Sequence, residues 1–275
     1  YLIVVTDRIS AFDYVLEPPV PYKGIVLNTL SAFWFDKTAA IQPNHVVHTD
    51  VAKLGSVAKD PEQLEGRIMV TKKAQRIDIE CVVRGYITGG GWRQYRQSQA
   101  VNGIPLPPGL RKNEKLPEPI FTPAAKNDVG HDEDIPFEEM ARRVGAELAG
   151  ELRERSLKLY DFASRYCEER GIILADCKFE FGLVDGQVVL IDEIFTPDAS
   201  RFWAKDRWAL DIEIDSMDKE PVRTYLAGSG WDKNSKPDPL PAHVVEETTR
   251  RYLDICERLT GENPAESITG GGETR

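Results

Sequence analysis

Apolar positions follow two rhythms along this chain. Tyr1-Leu-Ile-Val-Val5 is an unbroken apolar run of strand length, closed by the polar Thr6-Asp7-Arg8. Arg67-Ile-Met-Val70 and Ile77 to Val83 repeat the strand pattern, with Lys72 and Lys73 between them. Leu30, Phe33, Trp34 and Ile41 recur at helical spacing and predict a helix from Leu27 to Ile41, with Asn28 as its N-cap. A second helical stretch is predicted from Pro136 to Arg170. Leu152, Leu159, Phe162, Ala163 and Tyr166 form its core stripe, Asp134 is its cap, Pro136 its first turn and Gly171 its stop. A last helix runs from about Pro241 to Leu259 and stops at Gly261, and Thr269-Gly-Gly-Gly-Glu-Thr-Arg275 predicts a frayed tail.

Between these elements the pattern fails. Residues 105 to 136 hold seven of the 18 prolines, which excludes regular helix or a central strand and predicts a long loop with a functional or linking role. Gly89-Gly90-Gly91 just before it supplies a backbone that can bend freely. The alternation of short strands and helices with a break over residues 88 to 125 predicts an α+β protein of two lobes.

With 275 residues, 41% hydrophobic and 29% charged, the chain is an ordinary globular one that needs no disulfide staples. Thirty-five basic against 45 acidic residues give a net charge of −10, which argues against a nucleic-acid partner. No run of about 18 apolar residues exists, so no membrane span is expected. Four cysteines far apart, without a CxxC pair, argue against zinc and for a cytoplasmic protein. The chain opens at Tyr1 without an initiator Met, directly in a strand-like run, and is expected to lack part of its native N-terminus.

The chemistry is concentrated between residues 174 and 203. Leu174-Ala-Asp176-Cys-Lys178-Phe-Glu180-Phe-Gly182 and Val188 to Glu193 flank Asp185-Gly186 and predict a β-hairpin. Alternation puts Asp176, Lys178 and Glu180 on one face and Cys177, Phe179 and Phe181 on the other, core face. The place of Asp192 depends on register. A two-residue loop pairs Val184 with Gln187 and leaves Asp192 on the apolar face. A three-residue loop pairs Val184 with Val188 and sets Asp192 opposite Glu180, a like-charge pair that calls for a cation between them. Two hard carboxylates with phosphate oxygens suit Mg²⁺. The competing reading is that Asp192 simply ends the strand in water. Thr196-Pro-Asp198-Ala-Ser200-Arg201 follows, a turn presenting an arginine to an anion.

Taken together, Asp176-Cys-Lys178-Phe-Glu180-Phe-Gly182, Asp192-Glu193 and Pro197-Asp198-Ala-Ser200-Arg201 resemble the signature segments of the phosphoribosylaminoimidazole-succinocarboxamide synthase (SAICAR synthetase) family. Thr6-Asp7-Arg8-Ile-Ser10-Ala-Phe12-Asp13, Lys23-Gly24, Leu30-Ser31-Ala-Phe33-Trp34 and Glu80-Cys-Val-Val-Arg84-Gly-Tyr-Ile-Thr88-Gly resemble its first half. Lys126, Asp128, His131 and Asp132 stand where the family has a polar, Pro-rich substrate segment. The motifs agree in order over nearly the whole chain.

The resemblance implies an ATP-dependent ligase of purine biosynthesis that joins L-aspartate to carboxyaminoimidazole ribonucleotide, giving SAICAR, ADP and phosphate. It implies a two-lobed ATP-binding fold, with an antiparallel nucleotide-binding lobe over residues 1–88 and a larger α/β substrate- and metal-binding lobe over 89–275. It also implies small-molecule partners, with ATP and Mg²⁺ as cofactors. Carried over by residue, Glu180 and Asp192 are the expected metal ligands, and Lys178 and Asp176 the catalytic pair. Arg84, Ser200, Arg201, Asp198 and Asp132 are expected to bind substrate, Arg84 and Arg201 at its 5′-phosphate. Lys72, Lys73 and Glu80 are expected on the nucleotide.

Three departures stand out. The family's Gly-rich hairpin over the ATP phosphates precedes the point where these residues begin. Gly90 replaces a usual serine, and Tyr22 stands where Gly is common. The rivals are another small-molecule phosphotransferase on a related fold and a non-catalytic metabolite-binding remnant. A protein kinase is disfavoured, because His-Arg-Asp and Asp-Phe-Gly are absent.

Overall fold

The apolar runs fold into two antiparallel sheets. In the computed structural model the described residues are 1–12, 14–127, 132–232 and 235–269, the last three by backbone alone. Asp13, Asp128, His131 and the tail 270–275 lie outside them.

Leu2–Val4, Ile68–Thr71 and Val46–His48 make a small sheet with Ile68–Thr71 in the middle. The larger sheet has seven strands, and two of them carry the site. Gln75–Tyr86 lies beside Ile172–Val184, with Asp176 opposite Arg84 and Glu180 opposite Glu80. Gln187–Ile191 and Ser200–Ala204 also pair with Ile172–Val184. The chain passes from the small sheet to the large one between Thr71 and Gln75, ahead of the lobe division expected at residue 88.

The core follows from alternation. Cys177, Phe179 and Phe181 are fully buried, in one cluster with Leu152, Leu159 and Ala163 of the helix Ala146–Glu168. Burying a phenylalanine contributes about 1.5–3 kcal/mol, so this face fixes which way the strand turns. Asp176, Lys178 and Glu180 are thereby forced onto the opposite face.

The first helix corrects the expected boundaries. It runs from Lys23 to Lys37, starting after Tyr22 in the left-handed conformation. Gly24 explains the early start: a Cβ there would lie 2.4 Å from the Val5 carbonyl oxygen, and its N–H donates to Asp7 Oδ1 at 2.8 Å. A carboxylate brought from another segment caps the helix. Asn28, the expected cap, instead donates from Nδ2 to the Gly66 carbonyl.

The stretch predicted as one helix over 136–170 is two, Phe137–Val144 and Ala146–Glu168, broken at Gly145 with φ 91°. Asp134 caps neither and accepts from Gln94 Nε2. The last helix is Ala242–Thr260, closed by Gly261 with φ 80° as expected. The Pro-rich region is not all loop: Lys115–Phe121, with Pro117 and Pro119, pairs with Gln75–Tyr86. No other strand pairs with it among the described residues, the place where a missing N–H is tolerated.

Gly85 is held by packing. A Cβ there would meet the Tyr160 hydroxyl at 1.8 Å, and that hydroxyl donates to the Leu174 carbonyl at 2.7 Å. Gly85→Ala is expected to cost about 1–3 kcal/mol, seen as a lower thermal midpoint. A variant melting with the parent would contradict this packing.

Candidate functional site

The hairpin takes the two-residue turn. Val184 pairs with Gln187 and Glu180 with Ile191, while Asp185 and Gly186 have φ 51° and 78°. Asp192 lies just past the strand with φ 64°, and this left-handed step turns its side chain back to the charged face. The register is the one expected to bury Asp192, yet its carboxylate is 46% exposed just beyond the strand, as in the reading that Asp192 ends the strand in water, and it also pairs with Lys178 of the charged face.

Lys178 lies between the two carboxylates, with Nζ 2.8 Å from Glu180 Oε1 and 3.1 Å from Asp192 Oδ2. The like-charge cross-strand pair expected for Asp192 and Glu180 exists elsewhere, as Glu80 opposite Glu180. Lys126 bridges that pair, 2.5 Å from Glu180 and 3.6 Å from Glu80. Burial alone would raise the Glu180 pKa, but Lys178 and Lys126 outweigh it and hold it at about 2. Burial would lower that of Lys178, but Asp192 and Glu180 raise it instead. Burial pushes Glu80 above the ordinary carboxylate value, against the pull of Lys178. Lys178 therefore stays an ammonium and Glu180 a carboxylate across the physiological range.

Asp176 anchors the other end of the charged face. Its Oδ2 accepts from Arg201 Nη1 at 2.5 Å and from Arg84 Nη1 at 3.3 Å, and Arg84 Nε donates to Thr122 Oγ1. Arg201 separates two cavities. One, of about 260 Å³, holds Gly89, Arg93, Lys112 and Ser216. The other, of about 250 Å³, holds Asp176, Lys178, Asp198, Ser200, Asp218 and Arg223. A Cβ at Gly89 would come within 2.9 Å of the Arg201 guanidinium, so glycine lets the start of helix Gly89–Ser98 approach it. Ser200 Oγ is buried without a hydrogen-bond partner among the described residues.

Asp198 is held from three elements. Lys23 Nζ lies 3.0 Å away, Tyr252 Oη donates at 2.5 Å and Lys219 Nζ is 3.7 Å away. Burial would raise its pKa, but Lys219 and Lys23 bring it below the ordinary value. Burial pushes Asp218 from an ordinary 3.8 up to about 6, against Arg201, Ser216 and the Glu220 N–H. A raised carboxyl binds its proton more tightly when folded, so its stabilising effect is full at low pH and is lost as pH rises through about 6. Asp218→Asn is expected to flatten the fall of the thermal midpoint between about pH 4 and 6. An unchanged slope in that window would contradict it.

A third cavity of about 280 Å³ lies between Val5, Met69, Lys23 and Asp192, at the junction of the two sheets. Lys72 and Lys73 do not line it. They are exposed, the Lys72 N–H donates to the His45 carbonyl and the Lys73 ammonium lies 5.1 Å over the Tyr1 ring. Asp132 is exposed and accepts from the Asn127 N–H. Lys219 and Arg223 join the site without a sequence signal that marked them, whereas Lys23 stood in the Lys23-Gly24 motif and its contact with Asp198 was not legible. Lys126 was legible as part of the polar Pro-rich segment, but its contact with Glu180 was not.

Among the described residues no three His, Cys, Asp or Glu side chains converge as a metal cage. Glu180 and Asp192 share one cation already, and two carboxylates suit an ion that takes its other ligands from phosphates and water. The donor set fits Mg²⁺ in that form. The face as a whole sets ammonium and guanidinium groups along a cleft fit for anionic substrates.

The SAICAR synthetase family model matches residues 1–238. A phosphoribosylaminoimidazole-succinocarboxamide synthase of Syntrophobacter fumaroxidans is 48% identical over 262 residues, covering 94% of this chain and 87% of that protein. The corresponding protein of Elusimicrobium minutum is 45% identical over 261 residues, covering 94% and 89%. The SAICAR synthase of Saccharomyces cerevisiae solved in complex with SAICAR is 38% identical with a TM-score of 0.85, covering 95% of this chain and 89% of that one. A SAICAR synthetase solved in complex with ADP is 25% identical with a TM-score of 0.68, covering 96% and 91%.

Proposed function

The chain belongs to the SAICAR synthetase family, and from that premise we propose how the charged face of Ile172–Val184 divides the work of ligation. The protein is an ATP-dependent ligase that joins L-aspartate to carboxyaminoimidazole ribonucleotide, giving SAICAR, ADP and phosphate in purine biosynthesis. The observation that carries the assignment of roles is Lys178, a half-buried cation held between Glu180 and Asp192.

A carboxylate is a poor acyl donor. An oxygen of the ribonucleotide's carboxylate attacks the γ-phosphorus as the bond to ADP breaks. The aspartate amine then attacks the acyl carbon, loses a proton and expels phosphate. Lys178 faces the negative charge that develops, in a site where an ammonium acts more strongly than in water. Glu180 and Asp192 would hold Mg²⁺, which neutralises the phosphates and favours their transfer. Arg201 and Arg84 bind the 5′-phosphate, with the N–H groups at Gly89–Gly91 in reach of the same anion. Asp176 positions both guanidiniums and meets the ribonucleotide, and the unpartnered Ser200 hydroxyl offers it a hydrogen bond. Asp198 shapes the turn that presents Arg201, and Asp132 is assigned to the substrate side.

Residues 1–88 serve the nucleotide and 89–275 the substrate and metal, with the strand Gln75–Tyr86 shared. Lys72, Lys73 and Glu80 are assigned to the nucleotide side. A cytoplasmic location belongs to the same proposal, supported by four cysteines that are all free.

Incubation with Mg-ATP, L-aspartate and the ribonucleotide is expected to give the succinocarboxamide by mass. ADP formed without L-aspartate, with no succinocarboxamide formed when L-aspartate is added, would instead indicate a phosphotransferase. Asp192→Asn is expected to lower turnover about 10²–10³-fold at an unchanged thermal midpoint, because the side chain is half exposed and pairs with Lys178 alone among the described residues. Unfolding, with the folded fraction fully active, would remove Asp192 from the metal assignment.

A further inference from the structure

Asp192 reaches the charged face because its backbone has φ 64°, a conformation that side chains other than glycine disfavour. A residue in that region persists only where its surroundings over-determine it. Asp192 stands beyond the last pair of its own hairpin, Glu180 with Ile191, so the ladder does not hold it. The ion pair with Lys178 holds the carboxylate and not the backbone.

The support comes from residues 42–45, which run along the edge of Gln187–Ile191. Gln42 Nε2 donates to the Val188 carbonyl at 2.8 Å, the Leu190 N–H to the Pro43 carbonyl at 2.8 Å and the His45 N–H to the Leu190 carbonyl at 3.0 Å. Asn44 pairs with Leu190 in parallel, and its Nδ2 donates back to the Phe35 carbonyl of the first helix. The chain thereby brings His45 level with the end of the strand. The His45 side chain is buried against the Phe35 ring, with 5.5 Å between centroids, and hydrogen-bonds the Asp192 backbone. A neutral imidazole has one N–H to give. Its Nε2 is buried without a partner among the described residues, which leaves that N–H to the Asp192 carbonyl.

His45 is also where the two sheets meet. Its carbonyl accepts the Lys72 N–H at 2.7 Å, and the next residue, Val46, pairs with Thr71 of the small sheet. The cavity between Val5, Met69, Lys23 and Asp192 lies at that junction. We propose that His45 is a positioning residue for the metal: its ring N–H holds the Asp192 carbonyl, fixes the left-handed turn and so keeps the Asp192 carboxylate beside Glu180. The inference rests on the metal reading above.

ADP binding by the full chain, measured calorimetrically with and without Mg²⁺, tests it, since the ratio of the two dissociation constants reports what the metal contributes. His45→Phe keeps an aromatic ring beside Phe35 and removes the donor. It is expected to cut that ratio about 10-fold, with metal-free ADP binding, the ribonucleotide KM and the thermal midpoint close to the parent's. His45→Asn, which keeps a short-reach N–H, should recover part of the ratio. In an Asp192→Asn background His45→Phe should have no further effect. A folded Phe variant with the parent's ratio overturns the assignment. So does one whose metal-free ADP binding weakens by the same factor, because the cavity rather than the metal would then be lost. Should the Phe variant fail to fold, a His45→Leu variant with the parent's ratio overturns it equally. A parent whose ADP binding gains nothing from Mg²⁺, or an Asp192→Asn variant with the parent's ratio, would refute the metal reading itself. An unaltered Phe variant beside a weakened Asp192→Asn would refute only the role of His45.

Discussion

Replacing Lys178 with methionine is expected to abolish ligation while leaving a folded protein. The ammonium is the group held between Glu180 and Asp192, and no other cation is in contact with both among the described residues. Removing one preorganised charge from such a cleft costs about 10²–10³ in kcat. The fold survives because Glu180 keeps Lys126 at 2.5 Å and Asp192 is open to water. Methionine also replaces the aliphatic stem without leaving a cavity. Stability should fall modestly above about pH 4, since Lys178 is the largest favourable influence on the Glu180 carboxylate. A carboxylate with a depressed pKa stabilises above its unfolded value and loses that effect as pH falls through its folded one, here about 2. Thermal midpoints of variant and parent should therefore converge on acidification. A methionine variant keeping more than about a tenth of the parent's kcat, where about 10²–10³ is expected to be lost, would refute the role given to Lys178.

The second large effect is expected at Asp176, and it falls on stability. Its carboxylate faces two guanidiniums that are only 11% and 18% exposed. Asp176→Ala leaves both buried beside each other without a counter-charge, at a cost of about 3–5 kcal/mol. For a chain of this length that lowers the thermal midpoint by about 10 °C. An anion should restore what the carboxylate supplied, so the ribonucleotide, or inorganic phosphate at higher concentration, is expected to stabilise the variant more than the parent. A variant that melts with the parent would mean that Arg84 and Arg201 find other partners. A variant that gains nothing from either anion would remove the two arginines from the phosphate site.

How much of this was legible depended on the range of the interaction. Alternation along one strand was enough to place Asp176, Lys178 and Glu180 together and Cys177, Phe179 and Phe181 in the core, because it needs only neighbouring residues. Asp192 was not settled by the same rule. Both loop lengths suited Asp185-Gly186, and a left-handed residue beyond the strand end brought the side chain to the charged face although the register was the one expected to turn it away. The pairing of Glu80 with Glu180, and the arrival of Lys126 beside them, join segments 46 to 100 residues apart, and local pattern carries nothing at that distance. The first helix began early because Asp7, from another segment, met the Gly24 N–H. Its companion break at Gly145 could have been suspected, since a glycine interrupts an otherwise helical pattern. Lys219 and Arg223 carry no motif, and only the packing of their helix brings them to the cleft.

The account's central claim is that this cleft activates a carboxylate with ATP before an amine displaces the phosphate. The direct measurement uses carboxyaminoimidazole ribonucleotide labelled with ¹⁸O in its carboxylate, with Mg-ATP and L-aspartate, and follows the label in phosphate and product by mass. One labelled oxygen should appear in inorganic phosphate for each succinocarboxamide formed, with the other retained in the amide and no phosphate released when L-aspartate is omitted. Succinocarboxamide formed with unlabelled phosphate, or phosphate released equally without L-aspartate, would contradict it.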